Sequence, residues 1–204
     1  MPLPILYSLR RCPYCIRARL GLLLAEQPVS LRDVVIKNKP EEMLAISPKG
    51  TVPVLQLTDS SVIDESLDIM LWALTQNDPK NILYREQPEA FTEMKILIAR
   101  SDNDFVSVLE KYKTAARYHH NDDIEYRQQC EVFIAQLEQH LERQAFIMGD
   151  TPSLVDYALL PFIRQFSRVD RQWYLSSPYP YLQRWLIAHY QNPIYSKALA
   201  YNSE

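Results

Sequence analysis

Glycine is nearly missing from this chain, with three residues in 204. A phosphate cradle made of successive backbone N–H groups needs several glycines in one short loop, so Gly-rich nucleotide-binding loops are excluded. No apolar run approaches the roughly 20 residues that a membrane-spanning helix requires. Neither sign of charge is in excess: 22 Lys and Arg face 25 Asp and Glu, interspersed, for a formal net charge of −3. The sequence therefore carries neither a nucleic-acid footprint nor an electrostatic membrane anchor. Cysteine is sparse, and its count of three is odd, which a fully paired disulfide framework would not have. Met1 to Leu9 is too short an apolar stretch for a secretory signal and lacks the basic leader. The expected compartment is the cytoplasm, where thiols stay reduced unless chemistry is using them. Internal repeats and low-complexity segments are also lacking. Hydrophobic residues make up 47% of the chain, enough to build the core of one large domain or two small ones.

The most informative feature present is Cys12-Pro13-Tyr14-Cys15. The two thiols lie where an apolar strand, Ile5 to Leu9, gives way to a helical run, Ile16 to Ala25. A cysteine at a helix N-terminus faces unpaired N–H groups and the positive end of the helix dipole, and both favour thiolate over thiol. Arg10, Arg11, Arg17 and Arg19 supply cations that push the same way. Cys12 is therefore the candidate nucleophile and Cys15 its redox partner. A closed zinc site would need two further ligands, and Cys130, His119 and His120 sit in segments that read as distant or solvated, so no metal is expected.

Two halves of the chain follow different patterns. Up to about residue 75, short β-rich stretches alternate with helical ones: a strand at Pro4 to Leu9, a helix at Cys12 to Ala25, a strand near Leu31 to Val35, a helix from Pro40 to Ile46, strands at Val52 to Leu57 and Ser61 to Ile63, and a helix from Ser66 to Thr75. The order β-α-β-α-β-β-α, with a cysteine pair opening the first helix, is the thioredoxin-type pattern. Residues 76–88 read as an exposed linker, punctuated by Asn77, Asp78, Pro79, Asn81 and Pro88. From residue 89 to 204 only helical periods occur. Phe91, Met94, Leu97, Ile98, Phe105, Val108 and Leu109 form one stripe, and Cys130, Phe133, Ile134, Leu137 and Leu141 a second, on which Cys130 reads as a core residue. Ser153 to Asp156 has the form of a capping box, and Asn192-Pro193 starts a last short helix. The expected fold is thus an α/β thioredoxin-like domain over 1–75 joined to an all-α domain over 89–204.

Taken together, these residues resemble the glutathione transferase superfamily over essentially the whole chain. Cys12-Pro13-Tyr14-Cys15 resembles the dithiol site of glutaredoxins, including two-domain glutaredoxins of this architecture. Lys37 to Glu41 resembles the omega-class segment whose second lysine contacts the glycine carboxylate of glutathione. Thr51-Val52-Pro53-Val54 resembles the family's cis-proline loop, and Asp64-Glu65-Ser66 its γ-glutamyl-binding turn. The resemblance implies glutathione as cosubstrate. Its glycine carboxylate would meet Lys39, and its cysteinyl peptide would pair with Val52 beside Pro53. At the other end its ammonium would meet Glu65, and its γ-glutamyl carboxylate would meet Ser66 as a helix N-cap.

The resemblance implies glutathione-dependent thiol transfer to small-molecule or protein disulfides. Omega-class enzymes carry an inert residue where this chain has Cys15, so a dithiol route through Cys15 and a monothiol route through Cys12 alone both stay open. Conjugation of glutathione to electrophiles, with Tyr7 or Ser8 as the hydroxyl, is the alternative. A non-catalytic, partner-binding role on the same fold is a third. Transferase resemblance also implies a homodimer, although similar two-domain glutaredoxins act as monomers.

Overall fold

The computed structural model describes residues 2–200. They pack as two compact units. One runs through Lys80 and takes in the chain again from Asn192, and the other spans Asn81–Gln191.

The first unit is built on a four-stranded sheet of β1 (Ile5–Ser8), β2 (Ser30–Asp33), β3 (Val54–Gln56) and β4 (Val62–Ile63), in the order β2-β1-β3-β4. β1 is parallel to β2 and antiparallel to β3, and β3 is antiparallel to β4. Leu6 of β1 stands opposite Leu31 on one side and Leu55 on the other. On the alternate face Tyr7, Val34, Met43 and Val54 form a buried cluster, as the period-2 alternation of a strand requires. The parallel β1–β2 pair needs a crossover, supplied by α1 (Pro13–Leu24). After it come α2 (Glu41–Ile46) and α3 (Ser66–Gln76). Every predicted element of this half is present within a few residues of its expected bounds.

α1 and α3 lie against each other at Gly21, where a Cβ would come within 2.5 Å of the Met70 Cα. A glycine costs about 1 kcal/mol inside a helix relative to alanine. Here the missing side chain lets the two helices meet at backbone distance.

The second unit is helical: α4 (Pro88–Arg100), α5 (Val106–Tyr118), α6 (Asp123–Arg143), α7 (Leu154–Val169), α8 (Arg171–Ser176) and α9 (Pro180–Gln191). The first predicted stripe is divided between α4 and α5 by a π-helical turn at Ser101–Phe105. The wider turn keeps Ile98, Ser101, Phe105, Leu109 and Tyr112 on one buried side. The second stripe is buried on α6, and the Cys130 thiol, pushed up to about 12 by burial, is a core residue as expected.

Two boundaries differ from the expectation. Residues 76–88 are not simply an exposed linker: Ile82 and Leu83 are buried, and the Ile82 carbonyl accepts the Leu154 N–H at 2.9 Å, so the second unit begins at Asn81. The last helix, α10 (Pro193–Ala200), was expected with the 89–204 domain but packs on α1 of the first unit. Its start is as predicted, with the Asn192 side chain accepting the Ile194 N–H at 3.0 Å. Among the described residues no helix is long and apolar enough to cross a membrane.

Candidate active site

Cys12 is the N-cap of α1 in extended conformation (φ −70°, ψ 126°), and Pro13 takes the next position, where a missing N–H costs nothing. The Tyr14 and Cys15 N–H groups point back at the Cys12 sulfur, and the Cys15 thiol donates to it as well. These hydrogen bonds, that of the Cys15 thiol foremost, lower the Cys12 pKa to about 6 against the opposing effect of burial, and the Arg19 charge adds to the lowering. Cys15 is fully buried and shifts the opposite way, upward, because it holds the proton of the pair beside a thiolate. Its sulfur accepts the Leu9 N–H at 3.2 Å. Near neutral pH the pair therefore holds one proton, on Cys15, and the thiolate is the half-buried Cys12, the candidate nucleophile.

Of the four arginines around the motif, Arg19 lowers the Cys12 pKa by its charge, from a buried position. Its guanidinium donates to Ser8 Oγ (2.7 Å), the Leu9 carbonyl (3.3 Å), the Arg10 carbonyl (2.7 Å) and the Ala198 carbonyl of α10 (2.8 Å). One planar fork thus holds the end of β1, the loop before Cys12 and the last helix together.

Cys12 opens onto a cleft of about 590 Å³ in the first unit, lined among others by Leu9, Tyr14, Lys39, Lys49, Val52, Pro53, Glu65 and Ser66. All five residues expected to meet glutathione thus line one cleft with the candidate nucleophile, and Cys15 lies outside it. The Val52-Pro53 bond is cis, and Val52 lies just outside the paired register of β3. The Lys39 ammonium has no carboxylate partner among the described residues and sits where a Cβ on Gly50 would approach it to 3.5 Å. Gly50 holds a left-handed φ of +63°, which L side chains rarely adopt, and a Cβ placed there would also come within 3.3 Å of Leu44 Cδ2.

Two details depart from the expectation. Ser66 is the first residue of α3 rather than its cap. Glu65 is the extended N-cap (φ −114°, ψ 132°), and its carbonyl accepts the Ile69 N–H at 3.0 Å. Glu65 already has a cationic partner: Lys49 Nζ lies 2.6 Å from Glu65 Oε1 and 3.3 Å from Asp64 Oδ1. Ser47 donates to Asp64 at 2.7 Å, which together with Lys49 keeps that carboxyl acidic. Sequence reasoning missed Lys49. Its place two residues before the Thr51-Val52-Pro53 turn was the available signal.

The two residues expected to supply a hydroxyl for the conjugating alternative are both buried. Tyr7 is buried in the sheet's core cluster, its pKa raised chiefly by that burial. Ser8 is buried and accepts from Arg19. Neither lines the cleft. No cluster of three His, Cys, Asp or Glu side chains arranged to hold a metal occurs among the described residues.

Two family models match the chain: the glutathione S-transferase N-terminal domain over residues 6–81 and the glutathione S-transferase C-terminal domain over 109–188. The chain is 26% identical over 191 residues to mouse glutathione S-transferase omega-1, covering 93% of this chain and 78% of that one. It is 30% identical over 167 residues to rat glutathione S-transferase omega-2, covering 81% and 65%. Among solved structures, a glutathione transferase family member from Pseudomonas fluorescens with two glutathione bound superposes with a TM-score of 0.82 at 17% identity, over 97% of this chain and 92% of that one. With both domain models matched in order on the expected fold, the chain belongs to the glutathione S-transferase superfamily.

Proposed function

We propose that this protein is a glutathione-dependent thiol transferase acting through the Cys12 thiolate. The observation that carries the reading is that the sulfur facing the cleft is a cysteine with a pKa of about 6, so most of it is thiolate at neutral pH. In the first step the Cys12 sulfur attacks the glutathione sulfur of a mixed disulfide. The old S–S bond breaks, its electron pair leaves on the released thiol, and a Cys12–glutathione disulfide forms. A second glutathione thiolate attacks the glutathione sulfur of that disulfide, releasing oxidised glutathione and returning Cys12 as thiolate. In the dithiol route Cys12 attacks a protein or low-molecular-weight disulfide, Cys15 attacks the Cys12 sulfur of the mixed disulfide and releases the substrate as a thiol, and glutathione reduces the Cys12–Cys15 bond that is left. The Cys15 proton is held by the neighbouring thiolate charge, which disappears once Cys12 enters a mixed disulfide.

Glutathione is the cosubstrate in this reading. Lys39, a cation with no carboxylate partner among the described residues, takes one terminal carboxylate, and Ser66 at the start of α3 takes the other. Val52 pairs with the central peptide. For the ligand's ammonium to reach Glu65, Lys49 must share that carboxylate or swing aside.

The test is reduction of hydroxyethyl disulfide by glutathione, run beside conjugation of chlorodinitrobenzene. Cys12→Ser abolishes disulfide reduction, Cys15→Ser retains the monothiol reaction, and Lys39→Met raises the KM for glutathione about tenfold. Conjugation that exceeds disulfide reduction and survives Cys12→Ser would make the protein a conjugating transferase and sink the thiol-transfer reading.

A further inference from the structure

The helical unit carries a second concave site with a different chemistry. Lys113, Ala116 and Arg117 follow one another at helical spacing near the end of α5, as do Arg164, Gln165, Arg168 and Val169 near the end of α7. Together they line a cleft of about 340 Å³. Four cationic side chains thus ring a small volume in a chain whose net charge is −3. Among the described residues the carboxylate that reaches them is Glu110, bonded at 2.7 Å to Lys113, which also donates to Gln165 at 3.3 Å. Arg117, Arg164 and Arg168 have no carboxylate partner there. Arg117 stacks on the Tyr118 ring instead, at 5.7 Å.

Cations in the last turn of a helix complement its dipole, which accounts for Arg117 and Arg168 taken singly. It does not account for Lys113 and Arg164, which lie one turn further back, or for the convergence of two helices' cations on one cleft. Guanidinium forks bind oxyanions in a bidentate way, and several forks around one space select for more than a single negative charge. Ala116 and Val169 add an apolar wall beside them. We propose that this cleft binds a small organic dianion of the phosphate monoester class, its oxygens held by Arg164, Arg168 and Arg117 and its apolar body lying on Ala116 and Val169. The site is independent of the glutathione reading, since none of its residues lines the Cys12 cleft.

Titration calorimetry of the full chain with phenyl phosphate tests it. Binding saturates at a single equivalent, is displaced by inorganic phosphate and weakens as salt is raised. The pair Arg164→Gln with Arg168→Gln weakens it about tenfold or more. The pair Arg164→Lys with Arg168→Lys, which keeps the charge and loses the fork, falls between, and unchanged circular dichroism and melting establish that both pairs fold. Cys12→Ser binds phenyl phosphate as the unmodified chain does. Undiminished binding in the glutamine pair, binding that does not saturate, or loss of binding in Cys12→Ser would each overturn the assignment.

Discussion

At the scale of single residues, the proposed chemistry rests on an asymmetry between two cysteines three positions apart. Both belong to α1 or its cap, yet one faces a cleft and the other is fully buried, and the hydrogen bond between them moves their proton affinities in opposite directions. The largest cause of the low Cys12 pKa is the Cys15 thiol, ahead of the backbone donors and of Arg19. Cys15→Ala therefore raises the Cys12 pKa by about one unit or more, while Cys15→Ser, which keeps an O–H donor, raises it less. The rate of iodoacetamide alkylation against pH measures this directly. A midpoint that stays near 6 in Cys15→Ala would mean that the helix N-terminus alone holds the thiolate. Cys12 was marked by its own physical signature, a thiol at a helix N-terminus, whereas Lys39, Val52, Pro53, Glu65 and Ser66 were named through the family resemblance, and the structure brings all six to one cleft. Lys49 was not. A lysine's partner depends on which carboxylate the fold brings to it, and Glu65 is sixteen positions away with no local pattern linking the two.

At the scale of elements, the arginines near the motif read as a diffuse cationic setting, and the structure resolves them into one specific brace. Arg19 joins the end of β1, the loop before Cys12 and α10 through four neutral acceptors. The start of α10 was legible in Asn192-Pro193, but its destination was not. Nothing in an amphipathic eight-residue helix says that it returns to a unit the chain left more than a hundred residues earlier. Arg19→Met would leave buried oxygens without their donor and remove a charge that favours the thiolate. The expected outcome is a loss of about 3 kcal/mol in urea unfolding, together with an upward shift of the Cys12 alkylation midpoint. Arg19→Lys restores the charge but not the fork, so it recovers more of the midpoint than of the stability. If Arg19→Met lowered stability and left the midpoint unmoved, the arginine would be a structural brace without influence on the thiol.

At the scale of the whole molecule, the two units were legible in the shift from alternating β and α periods to helical periods alone, although Ile82 and Leu83 already belong to the second unit's core. What composition and periodicity did not reveal is how that core treats charge. Asp156, predicted as a capping residue, is completely buried and accepts from Ser153, Ile147 and Trp185. Beside Trp185 lies His189, 1% exposed, with its ring edge-on to Trp185, Tyr157 and Phe146 and no hydrogen-bond partner for either nitrogen among the described residues. Burial lowers its pKa from 6.5 to about 4. The unfolded chain therefore binds a proton at this histidine below pH 6.5 while the folded chain does not until about pH 4, so the histidine's contribution to stability is complete above 6.5 and is lost as the pH falls through that window. Integrated across it, the loss is about 3 kcal/mol. Asp156 acts in the opposite sense, because its raised pKa lets the folded state take up a proton first, so the two must be separated by a difference measurement. Urea unfolding followed by tryptophan fluorescence, on the unmodified chain and on His189→Phe at several pH values from 7.5 down to 4, isolates the histidine because the aspartate is common to both. The unmodified chain should lose stability relative to the variant steadily below pH 6.5, and parallel curves would mean that the buried ring finds a way to carry its proton in the folded state.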